Sequence, residues 1–468
     1  MPSPASAKEA EERMESINPE IERRLLRKLD FKLMPSLWLL FLVSFVDRGN
    51  IGEWNVSMPN GSPGDFYNMA VMVFTVAYIS FGVPANIIIK KTGSRSLSIM
   101  MFIWGLFAMG QGFTKTWAGI VACRFLMGVF EAGFVPGCAF LMGCYYTKDE
   151  FLKRYAIFFS AAIMAGAFNG LFSSFLAMAN GAGGLKGWQW IFIVEGVLTS
   201  CLALGSFFFM VDFPERSKIF TLEEKDVLAQ RQQRDGGVVV HDQIRKHVVE
   251  ALLDWKVWLP MLAYFGAEEN ISAITTFQPT VLKGLGFTSQ AAQIHSIPIF
   301  MVAFVASLSF SYMSERLHQR YIFALFGTIL TMAGLVIELA QPKSAGVRYT
   351  GMYFITAGTY ITMPIIVVWA AINVGKGYKR TVSLGLVIAT GNAGALVSSN
   401  VFITSQTPKY PTGFSVGIGM NCLSIVCMTA FYIGLRLENR RKKRMLEAGV
   451  YATEDLTGEK DPNFINQL

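Results

Sequence analysis

The sequence predicts an all-α membrane protein with twelve transmembrane helices, arranged as two six-helix bundles around a central cavity. Three observations support this fold class. Apolar residues occupy 52% of the 468 positions and charged residues only 16%, whereas a typical soluble chain has about 25% charged residues. About twelve apolar stretches are long enough to cross a hydrocarbon core of ~30 Å. One long hydrophilic stretch separates the first six from the last six, a division typical of paired bundles with a site near the membrane midplane.

The apolar stretches define the predicted spans, numbered 1 to 12 along the chain. Several spans contain proline, which membrane helices tolerate because neighbouring helices satisfy the freed backbone groups. We therefore expect bends rather than loops at Pro84, Pro136, Pro298 and Pro364. The predicted spans are 33–54, 67–89, 96–114, 117–143, 155–178, 188–211, 257–281, 291–313, 321–340, 348–371, 381–404 and 414–436.

The hydrophilic segments divide the chain into five parts. The N-terminal segment is expected to place an amphipathic helix, Glu20 to Lys32, along the membrane surface. The central hydrophilic stretch contains Pro214 and a charged run from Glu223 to Arg234, which is typical of a linker with surface helices. The predicted parts are an N-terminal segment at 1–32, a bundle at 33–211, a linker at 212–256, a second bundle at 257–436 and a tail at 437–468.

Lysine and arginine are distributed unequally between the two sets of loops. Of 41 such residues, 33 fall in the termini and in the loops after spans 2, 4, 6, 8 and 10, and six fall in the opposite loops. Because loops rich in these residues stay in the cytoplasm, both termini are predicted to be cytoplasmic. The same bias explains the net charge of +8, so this charge does not indicate a nucleic-acid partner.

Four charged side chains lie inside spans 1 and 4, namely Asp47, Arg48, Arg124 and Glu131. A charged residue near the bilayer centre costs roughly 2.5 to 3.5 kcal/mol, so such residues usually face a polar cavity and have a function. Arg124 and Glu131 are seven residues apart, which puts them on one helix face about 10 Å apart along the axis. A direct bridge between these two is therefore not expected, and we predict pairing between spans 4 and 1.

The residue types suggest a division of roles. An arginine stays protonated and can hold a carboxylate with its planar fork of donors, whereas a carboxyl group in a low-dielectric cavity can take up a proton. We therefore assign Arg48 and Arg124 to substrate binding or to pairing with nearby acids, and Asp47 and Glu131 to proton coupling. The alternative is a static network that only holds spans 1 and 4 together.

Several motifs, in order along the chain, resemble one family. Span 1 contains Asp47-Arg48-Gly49-Asn50 and span 4 contains Gly128-Val-Phe-Glu131-Ala-Gly133-Phe-Val-Pro136. The chain thereby resembles the major facilitator superfamily and, within it, the anion:cation symporter branch, in particular the fungal allantoate, nicotinate and pantothenate permease group. The further motifs are Asp212-Phe-Pro-Glu215, Trp369-Ala-Ala-Ile-Asn373 with Lys379-Arg380, and Thr407-Pro-Lys-Tyr-Pro-Thr-Gly-Phe414.

This resemblance implies a proton-coupled symporter that imports a small organic anion, such as a carboxylate nutrient or vitamin-like acid, by alternating access across the plasma membrane. It also implies that acids and arginines at the motif positions serve coupling and anion binding. By position and resemblance, Tyr78, Asn169, Trp369 and Asn392 are candidate substrate contacts, with hydrogen bonding between helices as the alternative. An exporter of an acidic metabolite and a nutrient sensor without transport remain the alternative functions.

Two features depart from the expected pattern. The loop between spans 2 and 3 normally carries an acidic residue in this superfamily, and none is present among the residues from Asn86 to Arg95. Span 7 contains Glu268 and Glu269, which are unusual for an anion carrier. We expect this pair to be solvated near the entrance, or alternatively to bind an amine of the substrate.

The sequence does not indicate an enzyme, a metal site or a cofactor. Its six cysteines fall in apolar spans without metal-ligand spacing, and its four histidines show no His-Glu-x-x-His motif. A phosphate-binding Gly-x-x-x-x-Gly-Lys loop is also missing from the sequence, which disfavours ATP-driven pumping. The expected partners are therefore the anion, protons and the lipid bilayer, and we expect a monomer.

Overall fold

The structure is a computed structural model that describes residues 19–49, 63–234, 244–374, 378–402, 406–407, 409–448, 462 and 464–468. The part of predicted span 1 beyond Gly49 lies outside these residues. In the described part the regular structure is helical throughout, comprising a short 3₁₀ helix at Ala182–Gly184 and seventeen α-helices. The α-helices are α1 Pro19–Lys32, α2 Met34–Gly49, α3 Pro63–Thr92, α4 Arg95–Phe113, α5 Trp117–Glu131, α6 Phe134–Tyr145, α7 Lys148–Ala177, α8 Gly187–Phe209, α9 Leu222–Arg234, α10 Ile244–Leu253, α11 Trp255–Gly284, α12 Ser289–Arg316, α13 Arg320–Ala340, α14 Ala345–Asn373, α15 Tyr378–Gly391, α16 Gly394–Val401 and α17 Pro411–Glu447.

These helices form the predicted two bundles, and each predicted span has a helical counterpart. Among the described residues, eleven helical stretches are long and apolar enough to cross a membrane. Helix α11 has the necessary length, 30 residues, but its middle carries Glu268, Glu269 and Asn270, which lower its apolar character. A helix this polar cannot face lipid along its whole length, and the three side chains are indeed buried inside the protein.

All four prolines behave as expected. Helices α3, α12 and α14 continue through Pro84, Pro298 and Pro364. Span 4 bends near Pro136, where a break of two residues, Ala132 and Gly133, separates α5 from α6 and both residues keep right-handed helical backbone angles. Pro136 explains the position of this break, since proline has no N–H to donate to the carbonyl of the residue four positions earlier and its ring crowds that carbonyl. The break places Glu131 at the last residue of α5.

Glycines bring α4 and α8 into unusually close contact. A Cβ atom added at Gly196 of α8 would overlap the backbone nitrogen of Met109 and would lie 2.6 Å from the carbonyl oxygen of Gly105 on α4. No side chain fits between these backbones. Small residues at such crossings drive helix association in membranes, because packing replaces the hydrophobic effect there.

We expect Gly196→Ala to destabilise the N-terminal bundle by about 1 to 3 kcal/mol, the usual cost of overpacking a close contact. Gly205 is a matched control on the same helix, because a Cβ atom there would meet nothing within 4 Å. The thermal unfolding midpoint of purified protein should fall for Gly196→Ala and stay near the wild-type value for Gly205→Ala. Equal midpoints for the two variants would contradict this description of the α4–α8 crossing.

The described parts of the loops after spans 2, 4, 6, 8 and 10 lie at one end of the bundles, which we call the linker face. At this end the two halves touch through charged groups. The backbone N–H of Lys153 donates to Oε2 of Glu315 at 2.6 Å, and His318 Nδ1 lies 3.3 Å from Oδ1 of Asp149. The halves also pack along α7 and α12, where a Cβ atom at Gly166 would lie 2.8 Å from the ring of Phe300.

The missing acid of the loop between spans 2 and 3 is supplied from elsewhere in the chain. Oδ1 of Asp212, just after α8, accepts a hydrogen bond of 2.9 Å from the backbone N–H of Ser94. Arg216 donates to the carbonyl oxygen of Lys91 at 2.9 Å. The Asp212-Phe-Pro-Glu215 motif therefore ties the end of the first bundle to this loop.

Surface helices α1 and α9 dock together on the linker face. Lys28 Nζ of α1 lies 2.8 Å from Oε2 of Glu224 on α9, and the same oxygen accepts from the backbone N–H of Thr221 at 2.9 Å. Partial burial alone favours the neutral carboxyl, but the Lys28 ammonium and the Thr221 N–H outweigh it and lower the pKa of Glu224 below its ordinary value. The charged form of Glu224 thus favours the folded state.

This lowered pKa predicts a pH-dependent contribution to stability. The contribution is fully present above the pKa of an unfolded glutamate, about 4.3, and is lost as the pH falls through the lower pKa of the folded state. We expect Glu224→Gln to lower the thermal midpoint at pH 7, with the difference from wild type shrinking as the pH falls from about 4.3 through the lower pKa of the folded state. A difference that stays constant over this range would show that the Lys28–Glu224 pair does not contribute through its charge.

Candidate functional site

An ion pair between the first and fourth spans lies at the centre of the candidate site. Nε of Arg48, near the end of α2, donates to Oε1 of Glu131 at 2.5 Å. The hydroxyl of Ser44, one helical turn earlier, donates to the same oxygen at 2.7 Å. Glu131 is fully buried, whereas the Arg48 side chain is 19% exposed. The predicted pairing of spans 4 and 1 is therefore present, and its partners are Arg48 and Glu131.

Aromatic rings surround the Arg48 guanidinium. Its central carbon lies 4.9 Å from the ring centroid of Tyr78, 5.4 Å from that of Phe45 and 5.6 Å from that of Phe74. Cation–π attraction at these distances favours the arginine position. Among the described residues, Nη2 of Arg48 and Oε2 of Glu131 have no hydrogen-bond partner. The pair therefore keeps one donor and one acceptor available for another molecule.

Asp47 points away from Arg48, into the interior of the first bundle. Its Oδ2 accepts hydrogen bonds from the hydroxyl of Thr199 at 2.9 Å and from Nε1 of Trp104 at 3.2 Å. These donors come from α8 and α4. Glu131 and Arg124 also act on Asp47 electrostatically. Successive residues of α2 thus serve two different clusters, because consecutive helical side chains point about 100° apart.

Arg124 belongs to the interior cluster rather than to the central pair. Its guanidinium carbon lies 5.7 Å from the ring of Phe192 on α8, and it interacts electrostatically with Asp47 and Glu195. The expectation that Arg124 and Glu131 face one cavity is therefore met only in part. Both residues lie on the uninterrupted helix α5, so the difference comes from their surroundings. Phe192 and Glu195 of α8 lie near Arg124, whereas α2 supplies the partners of Glu131.

Residues of the second bundle, together with Tyr155 of the first, complete the centre, and sequence reasoning missed most of them. The Glu268 carboxyl of α11 interacts electrostatically with Arg48. Tyr264 of the same helix, Tyr155 of α7 and Tyr360 of α14 lie in the same electrostatic neighbourhood. All three tyrosines are at most 3% exposed, so the centre is closed in this structure. Nothing in the local sequence distinguishes these tyrosines from ordinary packing residues.

The expectation of a solvated Glu268–Glu269 pair near the entrance is wrong. Glu268 is 9% exposed and Glu269 is fully buried. The two side chains have different surroundings, since Glu268 interacts with Arg48 at the centre and Glu269 lines a space inside the second bundle. The apolar packing of α11 against its neighbours, which the sequence does not reveal, buries both carboxyl groups.

The remaining predicted contacts are scattered. Asn392 Nδ2 donates to the carbonyl oxygen of Ile388 on its own helix at 2.5 Å, next to the break between α15 and α16. Oδ1 of Asn169 on α7 is buried without a hydrogen-bond partner among the described residues. Trp369 lies near the linker face, where its Nε1 donates to the carbonyl oxygen of Gln467 at 2.9 Å. Of the eight predicted site residues, the structure brings Arg48, Glu131 and Tyr78 together at the centre.

This arrangement has a defined chemical capacity. The arginine can exchange its carboxylate partner for the carboxylate of another molecule without changing its own charge. The displaced Glu131 would then be a buried carboxylate without a cation, which is costly unless it takes up a proton. Asp47 interacts with Glu131 as a second negative charge, and a proton on either group removes that repulsion.

Comparison with known proteins identifies similar chains. The sequence profile described as Major Facilitator Superfamily matches residues 37–399. The high-affinity nicotinic acid transporter of Saccharomyces cerevisiae is 30% identical over 437 residues, which cover 91% of this chain and 80% of that protein. The MFS-type transporter cnsO of Penicillium expansum is 30% identical over 465 residues, covering 94% of this chain and 90% of that protein.

The fold also matches solved structures. The proton:xylose symporter XylE, bound to 6-bromo-6-deoxy-D-glucose, superposes with a TM-score of 0.68 at 15% sequence identity. The match covers 87% of this chain and 96% of that one. At this sequence identity the match is evidence for the fold alone.

Proposed function

Because this chain belongs to the Major Facilitator Superfamily and is a membrane transporter, we propose that it is a proton-coupled symporter that imports a small organic anion by alternating access. The proposed cargo is a carboxylate nutrient or a vitamin-like acid. The observation that carries the proposal is the Arg48–Glu131 ion pair at the meeting point of the two bundles. An always-charged arginine in a buried centre favours anionic cargo, since arginine pairs with carboxylates through two parallel hydrogen bonds.

Coupling in this proposal is an exchange of partners at Arg48. The substrate carboxylate takes the place of Glu131 on the guanidinium, and Glu131 accepts a proton on the oxygen it releases. The centre then carries the same net charge with substrate and proton as it does empty. Equal charge matters because an unbalanced charge in a low-dielectric site would oppose the change between inward- and outward-open forms.

Asp47 and Arg124 have supporting roles in this scheme. Asp47 interacts electrostatically with Glu131 and is held by Trp104 and Thr199, so we propose it as a second proton carrier in the first bundle. Arg124 interacts with Asp47 and Glu195 and balances the negative charge of the interior cluster. We assign it to charge balance there rather than to direct contact with the substrate.

Tyr78 and its neighbours favour a planar or aromatic acid. Rings of tyrosine offer both stacking surfaces and hydroxyl groups, so they suit a flat cargo with one charged end. The S. cerevisiae relative, described as a nicotinic acid transporter, supports this class. We place Asn169 and Asn392 as secondary contacts, and Trp369 as a residue of the linker face that substrate meets on release.

The proposed orientation puts the linker face in the cytoplasm of a cell whose plasma membrane holds the protein. The bias of lysine and arginine toward the loops of that face supports this orientation. Import then runs from the face opposite the linker to the linker face, down the proton gradient of the plasma membrane.

Uptake into vesicles tests the proposal. Purified protein is reconstituted, and a panel of labelled monocarboxylates including nicotinate is offered with an acidic exterior and with equal pH. Accumulation above equilibrium that requires the pH gradient supports symport. Proton-independent binding without uptake would establish the sensor alternative. Accumulation that occurs only when the pH gradient is reversed, with the acidic side inside the vesicles, would establish export. Either outcome overturns the proposal.

A further inference from the structure

A buried carboxyl group in the second bundle has no partner in the described part of the chain. Both carboxyl oxygens of Glu269 are buried without a hydrogen bond, and so are both ends of the Gln278 amide further along the same helix. They line a space of about 10 Å³ between α11, α13, α14 and α17, which is room for roughly one water molecule. An organic substrate does not fit there.

The position of Glu269 parallels that of Asp47. Each lies on the first span of its bundle, next to a charged residue that faces the centre. Asp47 is followed by Arg48, and Glu269 is preceded by Glu268. Each points into its own bundle, Asp47 toward the third and sixth spans and Glu269 toward the ninth and twelfth. The difference is that Asp47 receives two hydrogen bonds and Glu269 receives none among the described residues.

We infer that Glu269 is a further proton-binding site, located in the C-terminal bundle. Among the described residues, an ionised carboxylate in this space would have no cation and no donor within hydrogen-bond distance, which an apolar interior does not tolerate. A proton on Oε1 or Oε2 turns the group into a donor. Oδ1 of Asn270 and Oε2 of Glu269 lie 3.1 and 3.5 Å from a Cβ atom built at Gly417, so both oxygens face α17.

In the surroundings of Glu269, a proton is the remaining means of neutralising its carboxylate charge. Of the described residues that line the space, Glu269 is the one ionisable group. The nearest charges on α13 and α14, Glu338 and Arg348, are bonded to each other at 3.0 Å. Glu268 interacts with Arg48 on the other side of α11. Protonation of Glu269 therefore does not depend on a change of salt-bridge partner. In this respect Glu269 differs from Glu131, which takes up its proton when Arg48 changes partner.

This inference rests on the proposed proton coupling, and a measurement of steady-state accumulation separates the two. Vesicles take up labelled substrate to steady state under a pH gradient of one unit, with the membrane potential held at zero. Each coupled proton contributes about a tenfold accumulation. We expect Glu269→Gln to lower the accumulation about tenfold, Glu269→Asp to retain most of it, and the exposed control Glu223→Gln to match wild type.

The outcomes are distinct. If wild type shows no accumulation driven by the pH gradient, the proposed function fails, whatever Glu269 does. If wild type accumulates substrate and Glu269→Gln accumulates it equally, the proton site at Glu269 is ruled out. Should Glu269→Gln fold poorly, infrared titration of the wild-type and Glu269→Asp proteins decides. A protonated-carboxyl band that changes with pH and differs between the two proteins supports the site. An identical band in both proteins overturns it.

A separate set of contacts carries a second inference, at the linker face. The segment Phe464–Leu468, which we call the tail segment, returns to the bundles. The carbonyl oxygen of Gln467 accepts from Trp369 Nε1 at 2.9 Å and from Asn373 Nδ2 at 3.0 Å. The backbone N–H of Arg320 donates to the carbonyl oxygen of Leu468 at 2.8 Å.

The tail segment also reaches the other half of the molecule. Nε2 of Gln467 donates to Oδ1 of Asp149, at the start of α7, at 2.8 Å. The tail segment is thus bonded to both bundles where they meet. We infer that it is a latch that holds the linker face closed and must release Asp149 before this face opens.

Hydrogen exchange tests the latch. In a chain ending at residue 461, we expect the backbone amides of Arg320 and of residues 149–153 to exchange about tenfold faster, roughly the effect of losing one hydrogen bond. Ile465→Ala is the matched control, since this side chain is 70% exposed. Faster exchange at Arg320 alone would mean that the tail segment stabilises the second bundle only and does not hold the linker face closed. Gln467→Ala gives the same test if the shortened chain does not fold.

Discussion

Arg48→Gln should abolish high-affinity substrate binding. The substitution removes the charge and the fork of donors that the proposed carboxylate needs, and it leaves Glu131 buried beside a neutral amide. Removing one member of a buried, hydrogen-bonded charge pair costs about 2 to 5 kcal/mol. Since about 1.4 kcal/mol is a factor of ten, substrate affinity should fall by roughly 30-fold or more. Titration of purified protein with the transported acid, followed by thermal shift, measures this loss.

A second buried ion pair supplies the control for this prediction. Arg348 lies 3.0 Å from Glu338 in the second bundle, away from the central tyrosines. Arg348→Gln should lower stability to a similar extent while leaving substrate affinity close to wild type. Arg48→Lys should fall between, since lysine retains the charge but lacks the planar fork. Normal binding by Arg48→Gln would contradict the assignment of Arg48 as the anion-binding residue.

Glu131→Gln should separate substrate movement from proton movement. Glutamine preserves the size of the side chain and can still accept from Ser44 and Arg48, but it cannot take up a proton. We expect exchange of labelled for unlabelled substrate to persist while the accumulation driven by a pH gradient falls. With a gradient of one unit this is a loss of about tenfold for each proton carried at this position. Reconstituted vesicles allow both measurements on one preparation.

Glu338→Gln is the matching control, because it removes a buried glutamate from an ion pair that lies outside the centre. It should keep its dependence on the pH gradient. If Glu131→Gln retains the proton dependence of wild type, the charged residues of spans 1 and 4 act as a static network. That result would leave the family assignment intact and remove the coupling mechanism.

Much of the fold could be predicted from local sequence. Apolar runs of membrane length and the long linker depend on composition over about 20 residues, which the chain displays directly. Pairing between spans 1 and 4 was also accessible, since Arg124 and Glu131 are too far apart on one helix to bond. The bend of span 4 was also accessible, since Pro136 cannot donate a hydrogen bond to the carbonyl of Ala132 and its ring crowds that carbonyl.

The composition of the centre could not be predicted in the same way. Asp47 and Arg48 are neighbours in sequence, yet one faces Trp104 and Thr199 inside its bundle and the other faces the second bundle. Tyr155, Tyr264 and Tyr360 come from three helices that only packing brings together. Trp369 was expected among the substrate contacts and instead bonds to Gln467, almost a hundred residues later in the chain.

By itself, then, the sequence determined that this protein crosses the membrane many times, that its two halves are joined by a charged linker, and that spans 1 and 4 contain charged residues inside the membrane. Those properties follow from hydropathy and helical periodicity, which act within a single helix. Tertiary structure decided that Arg48 pairs with Glu131, that Asp47 and Glu269 turn into their own bundles, and that the tail segment meets Asp149. Those contacts depend on helix rotation and on the packing of distant helices, and neither is specified by any one stretch of residues.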